Sequence, residues 1–328
     1  MVPAIRLQLW RATLGVFVSL GFVLSHIALS QATAVQPASS ANSSPVERTD
    51  ATELSADITF APLSPSCPLP PIPLSDEAAS KMAFFSYFRE LFAFALEQRQ
   101  SPPLDDVFQQ LNTAEQYQKQ GRSDAAAAVL DRALSTYRNE ERSAAMAVAP
   151  PRLANTARLW ALSKFIELYA ASGRAEQAVP LADELVVFTQ SLLRQDDISL
   201  HILVGAADVY QAMEQNNQAH SVLTYVIQST DAVEEPFVKA IILSEVTKVY
   251  ANLNDFTRAT EVLLQAQEFA NVANGVSQRN ASTVALIPSY LALGQHENAS
   301  YLADTIEPLE LRQQVQQAIS CAQANPPQ

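Results

Sequence analysis

From residue 76 onward, apolar positions recur at helical rather than strand spacing, and they come in pairs of segments separated by short polar turns. The alternation of Val, Ile and Thr that marks strands is missing, whereas Ala, Leu, Gln and Glu dominate, which favours helix. The pattern predicts helix pairs at about 103–120 with 122–139, 151–172 with 174–194, 197–214 with 216–230, 235–253 with 255–273, and 277–293 with 295–306. A closing helix is expected over 308–322, with Leu309, Val315 and Ile319 on one side and glutamines on the other. That one-sided polarity suits a terminal cap with one face in water.

Within the pairs a register repeats. Tyr117/Ala126, Tyr169/Ala178, Tyr210/Ala219, Tyr250/Ala259 and Tyr290/Ala299 are each nine residues apart, and successive tyrosines are separated by 52, 41, 40 and 40 residues. A fixed period of this length marks a stacked repeat architecture. One helix carries the large ring, a tight turn follows, and the alanine lets the next helix approach closely. Gly121, Gly173 and Gly294 fall four residues after their tyrosines, where the turn needs a left-handed residue. Asn254 takes that place once and Glu214 once, and Asn216 or Asn217 is a candidate to supply the left-handed residue beside Glu214.

At these residues the chain resembles the tetratricopeptide repeat family. The runs Tyr117-x3-Gly121-x4-Ala126-x3-Leu130, Tyr169-x3-Gly173-x4-Ala178, Tyr250-x3-Asn254-x4-Ala259-x3-Leu263 and Tyr290-x3-Gly294-x4-Ala299 carry the resemblance. It implies an all-α, right-handed superhelix of about five hairpins over 103–306, with first helices lining a concave groove and second helices outside. The period is near 40 rather than the family's 34, which implies longer helices or linkers, and Pro288 is expected to kink the last pair. The groove-facing position two residues before each tyrosine holds Glu115, Glu167, Asp208, Lys248 and Pro288, with Ser163, His201 and Ser244 as further wall candidates. Three carboxylates in consecutive repeats point to a partner segment that is basic or amphipathic, and away from a clamp for a C-terminal carboxylate.

Composition changes the picture at the N-terminus. Residues 1–34 read as an export signal: Arg6 and Arg11 start it, Leu14 to Leu29 is apolar, and Ala32-Thr33-Ala34 matches a small-x-small cleavage pattern. An uncleaved anchor is the alternative reading. Export places the chain in a periplasm, a lumen or at a cell surface. Loss of the two arginines with the leader takes the formal net charge from −13 to two units lower, which disfavours nucleic acid and anionic lipid as partners. Residues 35–75 hold eight prolines between Pro37 and Pro73 and read as a disordered tether. Cys67 in that tether and Cys321 in the closing helix invite a disulfide in an oxidising compartment, although a five-hairpin solenoid is expected to hold its ends far apart.

Residues 76–102 predict an N-terminal aromatic helix, with Phe84, Phe85, Tyr87, Phe88, Phe92 and Phe94 spread around the whole circumference. A helix apolar all round must be buried on more than one side. It either caps the first repeat, fills the groove of its own chain, or docks on another copy or partner. No catalytic constellation, metal-ligand spacing or cofactor motif is present, and His201, His220 and His296 stand on separate hairpins. The expected function is therefore a non-enzymatic, exported scaffold that binds a protein or peptide, without a cofactor. The alternatives are a small-ligand sensor, with a pocket between the aromatic helix and the first repeats, and an accessory subunit of an enzyme.

Overall fold

The computed structural model describes residues 57–58, 63, 67–75, 104–141, 149–192 and 197–324. The export signal and the aromatic helix expected at 76–102 lie outside them. The described residues form five helical hairpins and a closing helix. The hairpins are α1 (Asp105–Lys119) with α2 (Ser123–Glu140), α3 (Pro151–Ala171) with α4 (Ala175–Ser191), α5 (Asp197–Ala212) with α6 (Asn216–Ser229), α7 (Pro236–Asn252) with α8 (Phe256–Asn271), and α9 (Val276–Ala292) with α10 (His296–Asp304). Helix α11 (Leu309–Ala324) closes the array. These bounds fall within three residues of the sequence expectation.

Local chemistry sets several starts and all five hairpin turns. Helices α3 and α7 begin on Pro151 and Pro236, where a missing N–H costs nothing. Asp255 caps α8 by accepting the Arg258 amide at 3.1 Å. In every hairpin the residue four after the tyrosine is left-handed: Gly121 (φ 71°), Gly173 (72°), Glu214 (61°), Asn254 (61°) and Gly294 (71°). The amide one residue later donates to the tyrosine carbonyl at 2.8–3.0 Å, the 6→1 bond of a Schellman cap. Glu214 itself therefore adopts the left-handed conformation. Asn216 and Asn217, the sequence candidates for it, are already in α6.

The small residues of the register are fully buried. Ala126, Ala178, Ala219, Ala259 and Ala299 each have no exposed surface. Three of the later tyrosines reach back to the second helix of the preceding hairpin. The Tyr169 hydroxyl donates to Asp131 at 2.9 Å, Tyr210 to Asp183 at 2.6 Å, and Tyr290 to Gln267 at 2.9 Å. Tyr117 has no described hairpin before it and is half-buried, with Arg122 over its ring at 4.5 Å. The outer row is tied as well, since Arg138 on α2 donates to Glu184 on α4 at 2.7 Å.

Successive first helices pack on one another from α1 through α9, and each second helix packs on its own first helix and the next one. The first helices thus form a continuous inner row backed by the second helices. Their pattern agrees with that place: α3 and α7 are buried around nearly the whole circumference, whereas α8 is exposed along one side. Helix α9 runs unbroken from Val276 to Ala292 through Pro288.

The tether expectation fails over its last stretch. Residues 67–75 are extended, with Leu69, Ile72 and Leu74 buried in the common core. Strand β2 (Ile72–Pro73) pairs with β1 (Asp57–Ile58) and packs on α9, and the Ser75 amide donates to Ser277 Oγ at 3.4 Å. Proline-rich backbone carries few donors, so it lies against a helix with few polar groups left unpaired. The expected separation of the two cysteines fails for the same reason. Cys67 and Cys321 form a disulfide, because the segment that carries Cys67 docks at the C-terminal end of the array rather than at its start.

Candidate functional site: the inner face of the first helices

The register places equivalent positions of the first helices in rows. Two residues before the tyrosine stand Glu115, Glu167, Asp208, Lys248 and Pro288. Five before stand Asn112, Lys164, Gly205, Glu245 and Ala285, and nine before stand Phe108, Trp160, His201, Ile241 and Ala281. These rows share one helix face. The bonds across them run from one first helix to the next.

Lys164 Nζ lies 3.1 Å from Glu115 Oε2 on the preceding first helix and 3.0 Å from Glu167 Oε2 on its own. Lys119 adds a second cation to Glu115 at 2.9 Å. Burial alone would push the Glu115 carboxyl up, but Lys164 and Lys119 outweigh it and hold it below the ordinary range. Burial alone would pull the Lys164 ammonium down, and Glu167 and Glu115 outweigh that in turn. Glu115 and Glu167 are therefore held within the chain by a lysine that is 6% exposed. They are not the free acids facing a partner that the sequence suggested. Two negative charges beside one cation are tolerated where the cation is buried between them.

The next interhelical links follow the same face. His201 Nδ1 is 2.7 Å from Glu245 Oε2. Asp208 keeps some contact with solvent, yet protein atoms crowd it, and burial pushes its carboxyl up to about 7 against the pull of Lys248 and a hydrogen bond from Asn252. A carboxyl raised in this way holds its proton more readily than a free acid, so it too presents less negative charge than its sequence implies. Gln118 Nε2 donates to the Leu168 carbonyl at 2.6 Å, which ties α1 to α3.

Two of the predicted wall residues stand elsewhere. Ser244 is 1% exposed; its hydroxyl donates to the Ile241 carbonyl at 2.7 Å, and its own carbonyl accepts from Ser289 Oγ at 2.7 Å. It belongs to the α7–α9 contact. Ser163 is also buried, within α3. What sequence reasoning missed is the apolar row of Phe108, Trp160 and Ile241, which the same tyrosine register locates once positions are counted back by nine. It also missed Lys164, whose place is visible only when two hairpins are stacked.

Among the described residues no group of His, Cys, Asp and Glu could hold a metal ion, and no helix is long and apolar enough to cross a membrane. The sensor pocket expected beside the aromatic helix lies partly outside the described residues. Asn280, which opens an Asn-x-Ser triplet, is 7% exposed, and its side chain brackets Glu307 by donating to the carbonyl and accepting from the amide.

No family model matches the chain, and no curated protein matches it either. Solved structures similar to it include two of one protein. One is a putative kinesin light chain from Podosopora anserina with nearly identical TPR-like repeats, at 21% identity and a TM-score of 0.45, covering 68% of this chain and 98% of that one. The other is a point variant of the same protein, at 22% identity and a TM-score of 0.45, covering 69% of this chain and 100% of that one. The fold assignment itself stands on the chain's own geometry. Five left-handed turns, five buried alanines and one inner row of first helices make it a TPR-like array of helical hairpins.

Proposed function

We propose that this chain is an exported, non-catalytic scaffold that docks a protein segment along the inner face of its first helices. The observation that carries this reading is the half-buried pair Phe108 and Trp160, which His201 and Ile241 continue across successive hairpins on one face, beside the Lys164–Glu115 ion pair and the His201–Glu245 contact. A ligand that touches several hairpins at once must be long, which favours a polypeptide over a small molecule. Because Lys164 already engages Glu115 and Glu167, the expected ligand is amphipathic and largely apolar rather than strongly basic. The Cys67–Cys321 disulfide supports export, since such bonds persist in oxidising compartments.

The test is affinity capture from the native envelope fraction with three immobilised chains: the unaltered protein, Trp160→Ala on the inner face and Phe256→Ala on the outer face. Trp160 is half-buried and Phe256 is 53% exposed. Loss of a stoichiometric protein partner from Trp160→Ala alone, with the helical circular-dichroism spectrum retained, is the expected result. Loss from Phe256→Ala alone would overturn the reading.

A further inference from the structure

The inner face carries an unexpected degree of burial. Helix α7 has α5 and α9 at its flanks and α6 and α8 behind it, which leaves its inner side. Yet Val238 and Ile241 on that side are 1% and 2% exposed. Ala157, at the place on α3 that corresponds to Val238, is 1% exposed as well.

The path of the chain names a candidate to cover them. Ser75 is fixed at Ser277 in the fifth hairpin, while Leu104 leads into α1 in the first. The strand that ends near Ser75 is itself anchored by Cys67 to α11, beyond the fifth hairpin. Residues 76–103 must therefore return along the whole array. First helices packed at about 8–10 Å put the fifth some 30–40 Å from the first. As a helix rising ~1.5 Å per residue, 76–103 reaches about 40 Å, so the connection closes in length. Its composition also fits: Phe84, Phe85, Phe88, Phe92 and Phe94 make it apolar on all sides, as a rod lying in a groove of apolar side chains must be.

We propose that residues 76–103 lie along the inner face of their own chain, as an intramolecular ligand running back from the fifth hairpin to the first. This rests on the reading of the inner face as the docking surface, and it deepens that reading by naming the ligand chemistry: an aromatic-rich, apolar helical segment. Two considerations favour this occupant over a second copy. Both ends of the segment are fixed to the array it would cover, and an attached segment meets its site at high effective concentration.

The test uses the full chain with a photoreactive benzoylphenylalanine at position 88 or, in a second variant, at position 92, irradiated and mapped by mass spectrometry. Cross-links within one chain to α3, α5 or α7 residues such as Trp160 and Ile241 are expected. Cross-links to outer residues such as Val187 or Phe256, links between two chains, or the absence of links to first helices in both variants would overturn it. Inner-face links combined with failed partner capture would remove the scaffold reading and leave this one standing. Successful capture at Trp160 without inner-face links would do the reverse.

Discussion

Cys67 and Cys321 are bonded across a sequence separation of 254 residues, and the bond joins the extended N-terminal segment to the closing helix. Cross-linking so long a loop restricts the unfolded chain strongly, by an entropic estimate of about 5 kcal/mol. The Cys67→Ser, Cys321→Ser double variant, or reduction of the natural protein, is expected to lower the melting temperature by several degrees. It should also slow migration on a denaturing gel. Unchanged melting under reductant would mean that the packing of residues 67–75 alone holds the end of the array.

Lys164 separates two carboxylates that belong to different hairpins, Glu115 and Glu167. Lys164→Met leaves them facing each other in a partly buried place, and a loss of about 3–5 kcal/mol is expected. Adding Glu115→Gln and Glu167→Gln to that variant should restore most of it. Glu115 is lowered from 4.5, so its contribution is present above that value and fades as pH falls below it. Lys164 is raised from 10.5, so its contribution is present below that value and fades as pH climbs above it. Chemical denaturation of the three chains across that window checks both the size and the sign.

Asp208 titrates in the opposite sense. An acid raised from 3.8 to about 7 holds its proton more tightly in the folded state, so folding weakens as pH rises between those values. Asp208→Asn removes the titrating group. Its stability relative to the natural protein should therefore grow between those two values and stay level above them, by on the order of 1–3 kcal/mol. A constant difference across that range would place Asp208 in contact with bulk solvent.

Glu214 sits at φ 61°, where three of the equivalent turns use glycine. The left-handed conformation costs a residue with a Cβ roughly 1 kcal/mol. Glu214→Gly is expected to stabilise the third hairpin by up to about that amount, less the extra freedom glycine brings to the unfolded chain. A melting curve decides between a gain and the loss that a hidden role for the carboxylate would cause.

The repeat is legible because its signals are local. The tyrosine, the turn residue and the alanine lie within ten residues, so one hairpin displays all three. What crosses hairpins is harder to see. Asp131 and Asp183 each stand fourteen residues after a tyrosine and accept the hydroxyl of the next one, a regularity present in the sequence but meaningful only after stacking. The same holds for Lys164, which neutralises a glutamate 49 residues earlier. Cys67 defeats a sequence reading because a proline-rich, serine-rich stretch carries no helical period, and its docking depends on the buried face of α9 rather than on any pattern of its own.

The recognition surface can be read directly by oxidative footprinting of the chain with and without its captured partner. Phe108 and Trp160 are half-buried on the inner row, whereas Phe256 and Tyr301 are 53% and 69% exposed elsewhere. Partner binding is expected to slow labelling of Phe108 and Trp160 and leave Phe256 and Tyr301 unchanged. Slower labelling of Phe256 and Tyr301, with Phe108 and Trp160 unaffected, would contradict an inner-face scaffold.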